Sequence, residues 1–419
     1  MKMIKAQESI TSDCSRVIMR LRLYGGKDYI KRIADFVSSL SETECVDIYR
    51  EYESSFKHRH RLFAENILRN SKLVEVKLEN FAKLSSERTR LLGLLSTMEY
   101  SFEAAALFNP SIIVHPDQSG VSDNKLKIIL SLRATGEGHI SSLTFREGLI
   151  SADGTISLIK REKFAELPQT LMKISNTDYK LVFRANSLLS ERVIFPEVQD
   201  ECKGIEDFRF VKFTDDNGEE EYLASYTGYD GHHIKSKIIQ TKDFISFTSK
   251  ALKGKFSNNK GMALFPRKIN GKYAMISRAD GESLFINYSD DLYSWETGEK
   301  IAGPKFIWEQ AKIGNCGSPM ETPDGWLLLT HGVGPLRKYC IGAMLLDLND
   351  PSKVLKRSEK PLLSPDEKER EGYVPNVVYT CGAIIHNGYL VIPYAASDLY
   401  TNFAKIEIDQ LLKELSSAQ

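Results

Sequence analysis

A tight turn followed by a strand that ends in a polar residue recurs five times along this 419-residue chain. Asp123-Asn124 leads into Lys127 to Arg133, Asn217-Gly218 into Tyr222 to Tyr226, and Asn270-Gly271 into Tyr273 to Arg278. Asp324-Gly325 leads into Trp326 to His331, and Asn387-Gly388 into Tyr389 to Tyr394. Asn-Gly and Asp-Gly tolerate the positive φ that two-residue hairpins demand, so each unit reads as a hairpin with its outgoing strand. Five hairpins at a long, fairly regular period predict radial blades. The expected body is therefore all-β, a five-bladed β-propeller over residues 96–408. Loops at one end of such a body bring residues distant in sequence to a shared centre. Arg133, Arg278 and His331 hold matching positions in their units, as though converging there.

The flanks read differently. Ile30, Ile33, Ala34, Val37 and Leu40 recur at helical spacing, and Val46, Tyr49, Tyr52, Phe56, Phe63 and Ile67 fall along one side of a second segment. Ser41-Glu42-Thr43-Glu44 supplies a capping box for that segment, and Glu87 to Leu95 gives a further helical turn. Residues 1–95 are expected to form an α-helical N-terminal extension, with a possible role in joining subunits of a homo-oligomer. Residues 409–419 are expected to form a short C-terminal helix or tail. The run Lys57-His58-Arg59-His60-Arg61 invites a phosphate or nucleic-acid reading, but it lacks a Gly-rich cradle and has acidic neighbours, so a solvated helix face or an interface fits better. The stretch from Leu149 to Val198 holds no matching unit and reads as a decorated connection.

Charge and cysteine usage exclude several classes. Lys+Arg and Asp+Glu both number 56, so no global basic field favours nucleic acid or an anionic membrane, and neither is an expected partner. Any anion site must be a local cluster. The six cysteines form no CxxC pair, and His232-His233 has no acidic or thiol companions at metal spacing, so no metal is expected. Met1 to Leu23 is broken by Lys5, Glu8, Asp13, Arg16 and Arg20, which argues against a secretory segment and for a cytoplasmic protein. No Walker loop, Rossmann fingerprint, Gly-x-Ser-x-Gly elbow or His-Glu-x-x-His occurs.

Three constellations carry chemistry. Gly204-Ile205-Glu206-Asp207-Phe208-Arg209-Phe210 sets two acids and a base in partly apolar surroundings, which can raise a carboxyl pKa enough for a general acid; an Asp-Arg or Glu-Arg structural ion pair is the competing reading. Arg278, Lys312 and His331, on different blades, can enclose a phosphate dianion, and the glycines of Lys312-Ile313-Gly314-Asn315-Cys316-Gly317 allow close backbone approach. Asn109, Arg133 and Asp398 can divide the hydroxyls of a sugar among an amide, a guanidinium and a carboxylate, with Tyr226, Tyr229 and Trp308 as candidate stacking faces.

These segments, in this order from Glu99 to Ile406, resemble the mannoside phosphorylases and related β-mannosidases of glycoside hydrolase family 130. The matching pieces are Glu99 to Ser111 (containing Phe108-Asn109-Pro110-Ser111), Glu206 to Arg209, Leu264-Phe265-Pro266, Gly325 to Leu328 with His331-Gly332-Val333, and Tyr394-Ala395-Ala396-Ser397-Asp398. The resemblance implies a five-bladed β-propeller that cleaves β-mannosides with inversion. Asp207 would be the general acid, acting through the mannose 3-hydroxyl. Arg278, Lys312 and His331 would bind phosphate, assisted by Asn259 or Lys260, and Asn109, Arg133 and Asp398 would hold the sugar; Ser111 and Tyr226 are further candidate sugar contacts.

The expected reaction is phosphorolysis of manno-oligosaccharides by inorganic phosphate, a co-substrate, with release of α-mannose 1-phosphate and no other cofactor. An inverting hydrolase needs a second carboxylate to deprotonate water, whereas phosphate is already an anionic nucleophile and calls for cations instead. Three departures bear on this choice. Phe208 replaces the family's usual proline, Gly261 replaces an aspartate, and Glu321 stands in a commonly apolar stretch where it could serve as the base of a β-mannosidase. A non-catalytic propeller that binds glycan or protein is the reading from another class.

Overall fold

The computed structural model describes residues 3–22, 26–77 and 83–418. Residues 1–2, 23–25, 78–82 and 419, which fall within the expected extension and tail, lie outside the described residues. The chain divides into two compact units, Met1–Asp13 with Glu103–Arg161 and Pro168–Gln419, and Cys14–Phe102 with Glu162–Leu167. The boundary drawn at residue 95 therefore differs from the contacts in three ways, the first being that residues 96–102 belong with the helical unit. Ile4–Ile10 is a strand that joins the β unit, and a short piece of the 149–198 connection joins the helical one.

The larger unit is built from antiparallel meanders. The first comprises strands Ala106–Val114, Leu126–Thr135 and Ser141–Ile150, with Ile156–Leu158 and Val193–Ile194 on its outer strand. The second runs through Gly204–Thr214, Glu220–Tyr229, Ile234–Thr241 and Ser246–Ala251, and the hairpin of Thr170–Lys173 with Tyr179–Val182 extends its outer edge. A single parallel pairing of Gly204 with Ser141 links these two. The third holds Ala263–Leu264, Tyr273–Ser277, Leu284–Ser289 and Glu299–Ala302. In the fourth, Lys312–Asn315 and Met320–Thr322 both pair with Gly325–Val333, followed by Tyr339–Leu346, Val354–Arg357 and Ser416–Ser417. In the last, Val378–Tyr379 and Ile384–His386 pair with Tyr389–Ala396, and Tyr400–Glu407 and Ile4–Ile10 complete it. Helix Ile408–Glu414 precedes the short Ser416–Ser417 strand, so the expected tail is helix and strand.

Side-chain alternation explains why central strands are almost continuously apolar. Along Gly325–Val333 every residue is buried. Leu327 and Leu329 pack with Ile392, Tyr394 and Ala404 of the last meander, whereas Trp326 and Leu328 pack with Phe265, Ala274 and Ile276 of the third. A strand covered on both faces has no solvent side on which to place polar residues. Equivalent apolar clusters lie between the first and second meanders (Phe145, Phe210, Tyr222), between the second and third (Leu223, Ile238, Met275), and between the last and first (Ala106, Phe108, Ala395).

The turns that prompted the repeat differ in detail. Asn270-Gly271 and Asn387-Gly388 are two-residue turns with φ of +50 and +75, and +46 and +76, closed by the Ile269–Lys272 and His386–Tyr389 pairings. In the fourth meander the turn is Pro323-Asp324, and Gly325 is already the first strand residue. Asn217-Gly218 lies in a longer loop, with Asp215 donating its N–H to the Glu219 carbonyl, and Asp123-Asn124 lies in the still longer connection from 115 to 125.

The helical unit contains Gly26–Ser39, Glu42–Phe56, Phe63–Glu75 and Ser86–Leu95, together with a hairpin of Val17–Leu21 and Thr97–Ser101. The Ser41 box is formed, with the Glu44 carboxylate accepting from Ser41 N–H at 2.8 Å and Ser41 Oγ accepting from Glu44 N–H at 3.2 Å. Ile30, Ile33 and Ala34 pack on Val74 and Leu92, and Tyr49, Phe63 and Ile67 pack together. Tyr52 and Phe56, placed on the same stripe from sequence, are instead exposed and stack on each other. The basic run ends the second helix, where Arg59 and His60 both bond Glu99, at 2.8 and 2.7 Å. Among the described residues no helix is long and apolar enough to cross a membrane.

Candidate active site

Residues from all five meanders and their connections line one cavity of about 270 Å³ in the β unit. Contacts and mutual charge effects group Asn109, Arg133, Glu206, Asp207 and Asp398 into a carboxylate side and Arg278, Lys312, His331 and Tyr339 into a cationic side. Arg209 acts on Asp207 and His331 and bonds Tyr379, which meets His331. The three polar residues that end matching repeats, Arg133, Arg278 and His331, are thus brought together.

Asp207 reaches the cavity through a local distortion. Pairing of Gly204–Thr214 with Glu220–Tyr229 slips between Glu206 and Arg209, and Asp207 takes φ +56. A bulge of this kind re-aims a side chain that regular pleating would have directed elsewhere. Phe208 fixes the bulge from behind, stacking on Tyr226 with ring centroids 4.4 Å apart and planes 8° from parallel. Asn109, itself at φ +46 in a bulge, donates Nδ2–H to Asp207 Oδ1 at 2.7 Å, and Arg133 reaches the same oxygen at 3.3 Å and Glu206 at 2.9 Å.

This surrounding reverses the expectation of a raised Asp207 pKa. Burial pushes it up, but Arg133, Arg209, the Asn109 amide and Lys260 outweigh burial and hold the carboxyl below its ordinary value. The raised carboxyl is Asp398, which burial and the charge of Asp207 push up to about 6 against the pull of Arg133 and Arg337. An ion pair with Glu206 and Asp207 does form, as the competing reading required, but its partner is Arg133. Arg209 instead donates to the Asn315 carbonyl at 3.0 Å and to the Tyr379 hydroxyl.

The opposite side has another character. Among the described residues no carboxylate lies within ion-pair distance of Arg278 or Lys312, and Lys312 rests over the Tyr339 ring at 5.4 Å. Arg278 Nε is buried with no protein hydrogen-bond partner, as is Asn109 Oδ1 on the carboxylate side. Buried polar atoms are ordinarily paired, so both mark positions shaped for a ligand. His331 Nδ1 lies 3.2 Å from the Asn315 carbonyl and Nε2 lies 3.3 Å from Arg278 Nη1. Burial, then Arg278, Arg209 and Lys312, push its pKa well below the usual imidazole value, so it is neutral.

Four expected site residues fall elsewhere, and a fifth is differently employed. Glu321 projects from strand Met320–Thr322 and makes a two-pronged pair with Arg267 at 2.9 and 2.9 Å, outside the cavity lining, its pKa lowered by that pairing. It cannot act as a base there. Ser111 is buried and accepts from Phe210 N–H at 3.2 Å, a bond that supports the strand carrying Asp207. Tyr226 packs under Phe208 and donates to Glu201 at 2.6 Å, because alternation along its strand turns it into the core. Asn259 lies beyond the lining, its Oδ1 accepting from Lys260 N–H. Lys260 does line the cavity, but its ammonium bonds Glu206 at 2.6 Å on the acidic side. The suggested stacking faces are also engaged otherwise: Trp308 is buried and donates to the Glu359 carbonyl, and Tyr229 donates to that of Gly231. Sequence reasoning did not single out Arg337, Tyr339 and Tyr379, which lie outside the repeated units, Arg337 in a connection and the two tyrosines on strands Tyr339–Leu346 and Val378–Tyr379.

Comparison with known proteins bears on the family of the chain. The family model for glycoside hydrolase family 130, described as beta-1,4-mannooligosaccharide phosphorylase, matches residues 182–417. A 1,2-beta-oligomannan phosphorylase of Thermoanaerobacter sp. (strain X514) is 36% identical over 230 residues, covering 53% of this chain and 75% of the relative. A beta-1,2-mannobiose phosphorylase from the same organism is 37% identical over 223 residues, covering 52% of this chain and 72% of the relative. In fold, the chain is similar to the beta-1,2-mannobiose phosphorylase from Listeria innocua in complex with beta-1,2-mannobiose, with a TM-score of 0.54 at 21% identity over 74% of this chain and 92% of that one. With a family model matched over more than half its length and relatives above 30% identity, this chain belongs to glycoside hydrolase family 130.

Proposed function

We propose that this protein is an inverting glycoside phosphorylase: inorganic phosphate attacks the anomeric carbon of a non-reducing β-mannosyl unit, releasing α-mannose 1-phosphate and a shortened sugar. The observation that carries this reading is the division of one cavity into a carboxylate side and a cationic side whose Arg278 and Lys312 have no carboxylate partner among the described residues. Cations without a counter-ion attract an anionic nucleophile, and Arg278 offers the planar donor set that suits phosphate oxygens. Water as nucleophile would need a carboxylate on that side, and Glu321 is held outside by Arg267.

In this reading Asn109, Arg133 and Asp398 orient the mannosyl unit, and Asp207 supplies the proton to the leaving oxygen through the mannose 3-hydroxyl. Asp207 is ionised beside Arg133 before ligands arrive, so it must gain its proton as they enter. A phosphate anion opposite Arg209 offsets part of the positive field that holds Asp207 ionised, which favours that gain. The body is read as a five-bladed propeller. Five meanders, apolar clusters between each successive pair, and a further cluster between the last and the first support that reading.

The test is incubation with β-1,2- and β-1,4-linked mannobiose, with and without phosphate. Mannose 1-phosphate is expected only when phosphate is present, and Asp207→Asn should lower turnover by about 10²- to 10⁴-fold, the usual worth of a general acid. Free mannose at an equal rate without phosphate would establish a hydrolase instead, and binding of mannoside without any turnover would leave a sugar-binding protein.

A further inference from the structure

We propose that His331 recognises phosphate as a hydrogen-bond acceptor, so that the anion site selects an oxyanion that still carries a proton, such as hydrogen phosphate or hydrogen arsenate, over sulfate. The inference rests on the phosphorolytic reading and adds to it the chemical rule by which the nucleophile is chosen.

The tautomer follows from geometry. A carbonyl oxygen only accepts, so the contact of Nδ1 with the Asn315 carbonyl at 3.2 Å places the imidazole proton on Nδ1. The ring is neutral, and Nε2 therefore presents a lone pair, to which Arg278 Nη1 donates at 3.3 Å. The ring is also held in place. Tyr339 stacks on it at 5.9 Å, Tyr379 meets it edge-on at 5.0 Å, and the ring is buried. Directly across the strand pair stands Gly314, where a Cβ would come within 2.7 Å of Nε2 and 3.2 Å of Arg278 Nη1. Glycine thus leaves room for the imidazole and for the Arg278 guanidinium beside Nε2.

The two cations of that side, the Arg278 guanidinium and the Lys312 ammonium, can only donate. Donors hold phosphate and sulfate alike, because both present oxygen acceptors. An acceptor separates them: hydrogen phosphate can take the Arg278 hydrogen on one oxygen and give its own P–O–H to Nε2, whereas sulfate is fully deprotonated at neutral pH and would set an oxygen lone pair against that of Nε2. In the reaction one of the unprotonated phosphate oxygens forms the new bond to the anomeric carbon. The bond from that carbon to the leaving oxygen breaks, the leaving oxygen takes the proton delivered from Asp207, and the P–O–H proton stays with the ester against His331.

Titration calorimetry on the full chain at pH 7 and constant ionic strength, in the presence of mannose, tests this with inorganic phosphate, arsenate and sulfate. Phosphate and arsenate should bind within about threefold of each other and sulfate at least tenfold more weakly. Sulfate binding within threefold of phosphate, or no phosphate binding at all, overturns the proposal. His331→Phe keeps the ring between its tyrosines and removes the lone pair, so the phosphate-to-sulfate ratio should fall toward one. A ratio that stays above tenfold in a folded variant also overturns it. The two readings fail separately: equal sulfate affinity in an active phosphorylase removes only this inference, and anion selection without mannoside cleavage removes only the phosphorolytic one.

Discussion

Asp398 stands just past the end of strand Tyr389–Ala396 at φ +50, in a cavity it shares with Asp207. Burial and the Asp207 charge raise one carboxyl to about 6, while Arg133, Arg209 and Asn109 hold the other low. Two carboxyls whose environments drive them apart can hold different protonation states in one site. The shift has a stability consequence with a definite sign. The folded protein keeps the Asp398 proton up to about pH 6, whereas an unfolded chain releases it near its ordinary value of 3.8, so the fold binds the extra proton between those limits. The resulting contribution is present below pH 4 and is lost as pH rises through 6. Asp398→Asn carries no titrating proton there, so the variant should gain stability relative to wild type between pH 4.5 and 7, read from urea unfolding at both pH values. A difference that is the same at both pH values would remove the proposed shift. Residue identity alone could nominate Asp207 and Asp398, but it assigned the raised pKa to the wrong one. The sign depends on Arg133, some 74 residues distant from Asp207 in sequence and 3.3 Å away in space.

At the scale of an element, the strand Gly204–Thr214 shows what pattern can and cannot convey. Its alternation and its place after a long connection were legible, as was the acid-rich start. The register slip between Glu206 and Arg209 was not, because a bulge is decided by what the extra residue packs against. Here that is Tyr226, itself bonded to Glu201, and the same packing explains why Tyr226 is a core residue and not a sugar contact. Glu321 failed for a related reason, since its strand pairs residue for residue with Gly325–Leu327 and turns it toward Arg267. The bulge makes Phe208 a positioning residue. Phe208→Ala should cost about 3 kcal/mol of stability or more, typical for removing a buried phenyl ring. Phe208→Leu, which refills most of the space, should remain folded and lower kcat about tenfold while leaving KM for phosphate within twofold, because Arg278, Lys312 and His331, the proposed phosphate site, belong to other meanders. A fall in phosphate affinity of the same size as the fall in kcat would show instead that the whole cavity had collapsed.

On the scale of the whole molecule, the repeat conveyed the body and the convergence of its strand ends, but not how the last meander is completed. Ile4–Ile10 pairs with Tyr400–Glu407, bringing Ile4 opposite Lys405, a pairing that no local pattern announces in a segment expected to be helical. The contact that fixes it is Lys5, whose Nζ bonds Glu369 at 2.6 Å and Asp366 at 2.7 Å. Glu369 is buried and also accepts from the Tyr394 hydroxyl at 2.6 Å, while its backbone carbonyl accepts from Ser397 Oγ, next to Asp398. Lys5 is therefore the counter-ion of a buried carboxylate that braces the wall of the cavity. Lys5→Met preserves the length and apolar stem of the side chain but leaves that carboxylate without its cation. A buried acceptor stripped of its partner costs about 1–3 kcal/mol, and the partial exposure of Lys5 places the expected loss near 2 kcal/mol. Urea unfolding should show the midpoint falling with an unchanged slope, since the surface exposed on unfolding is the same. The double variant Lys5→Met with Glu369→Gln should recover part of the loss, because it removes the unpaired charge as well as the pair. A single variant within 0.5 kcal/mol of wild type, or a double variant that is simply the sum of two losses, would show that the strand is held by its backbone pairing alone and that Lys5 adds nothing to the closure.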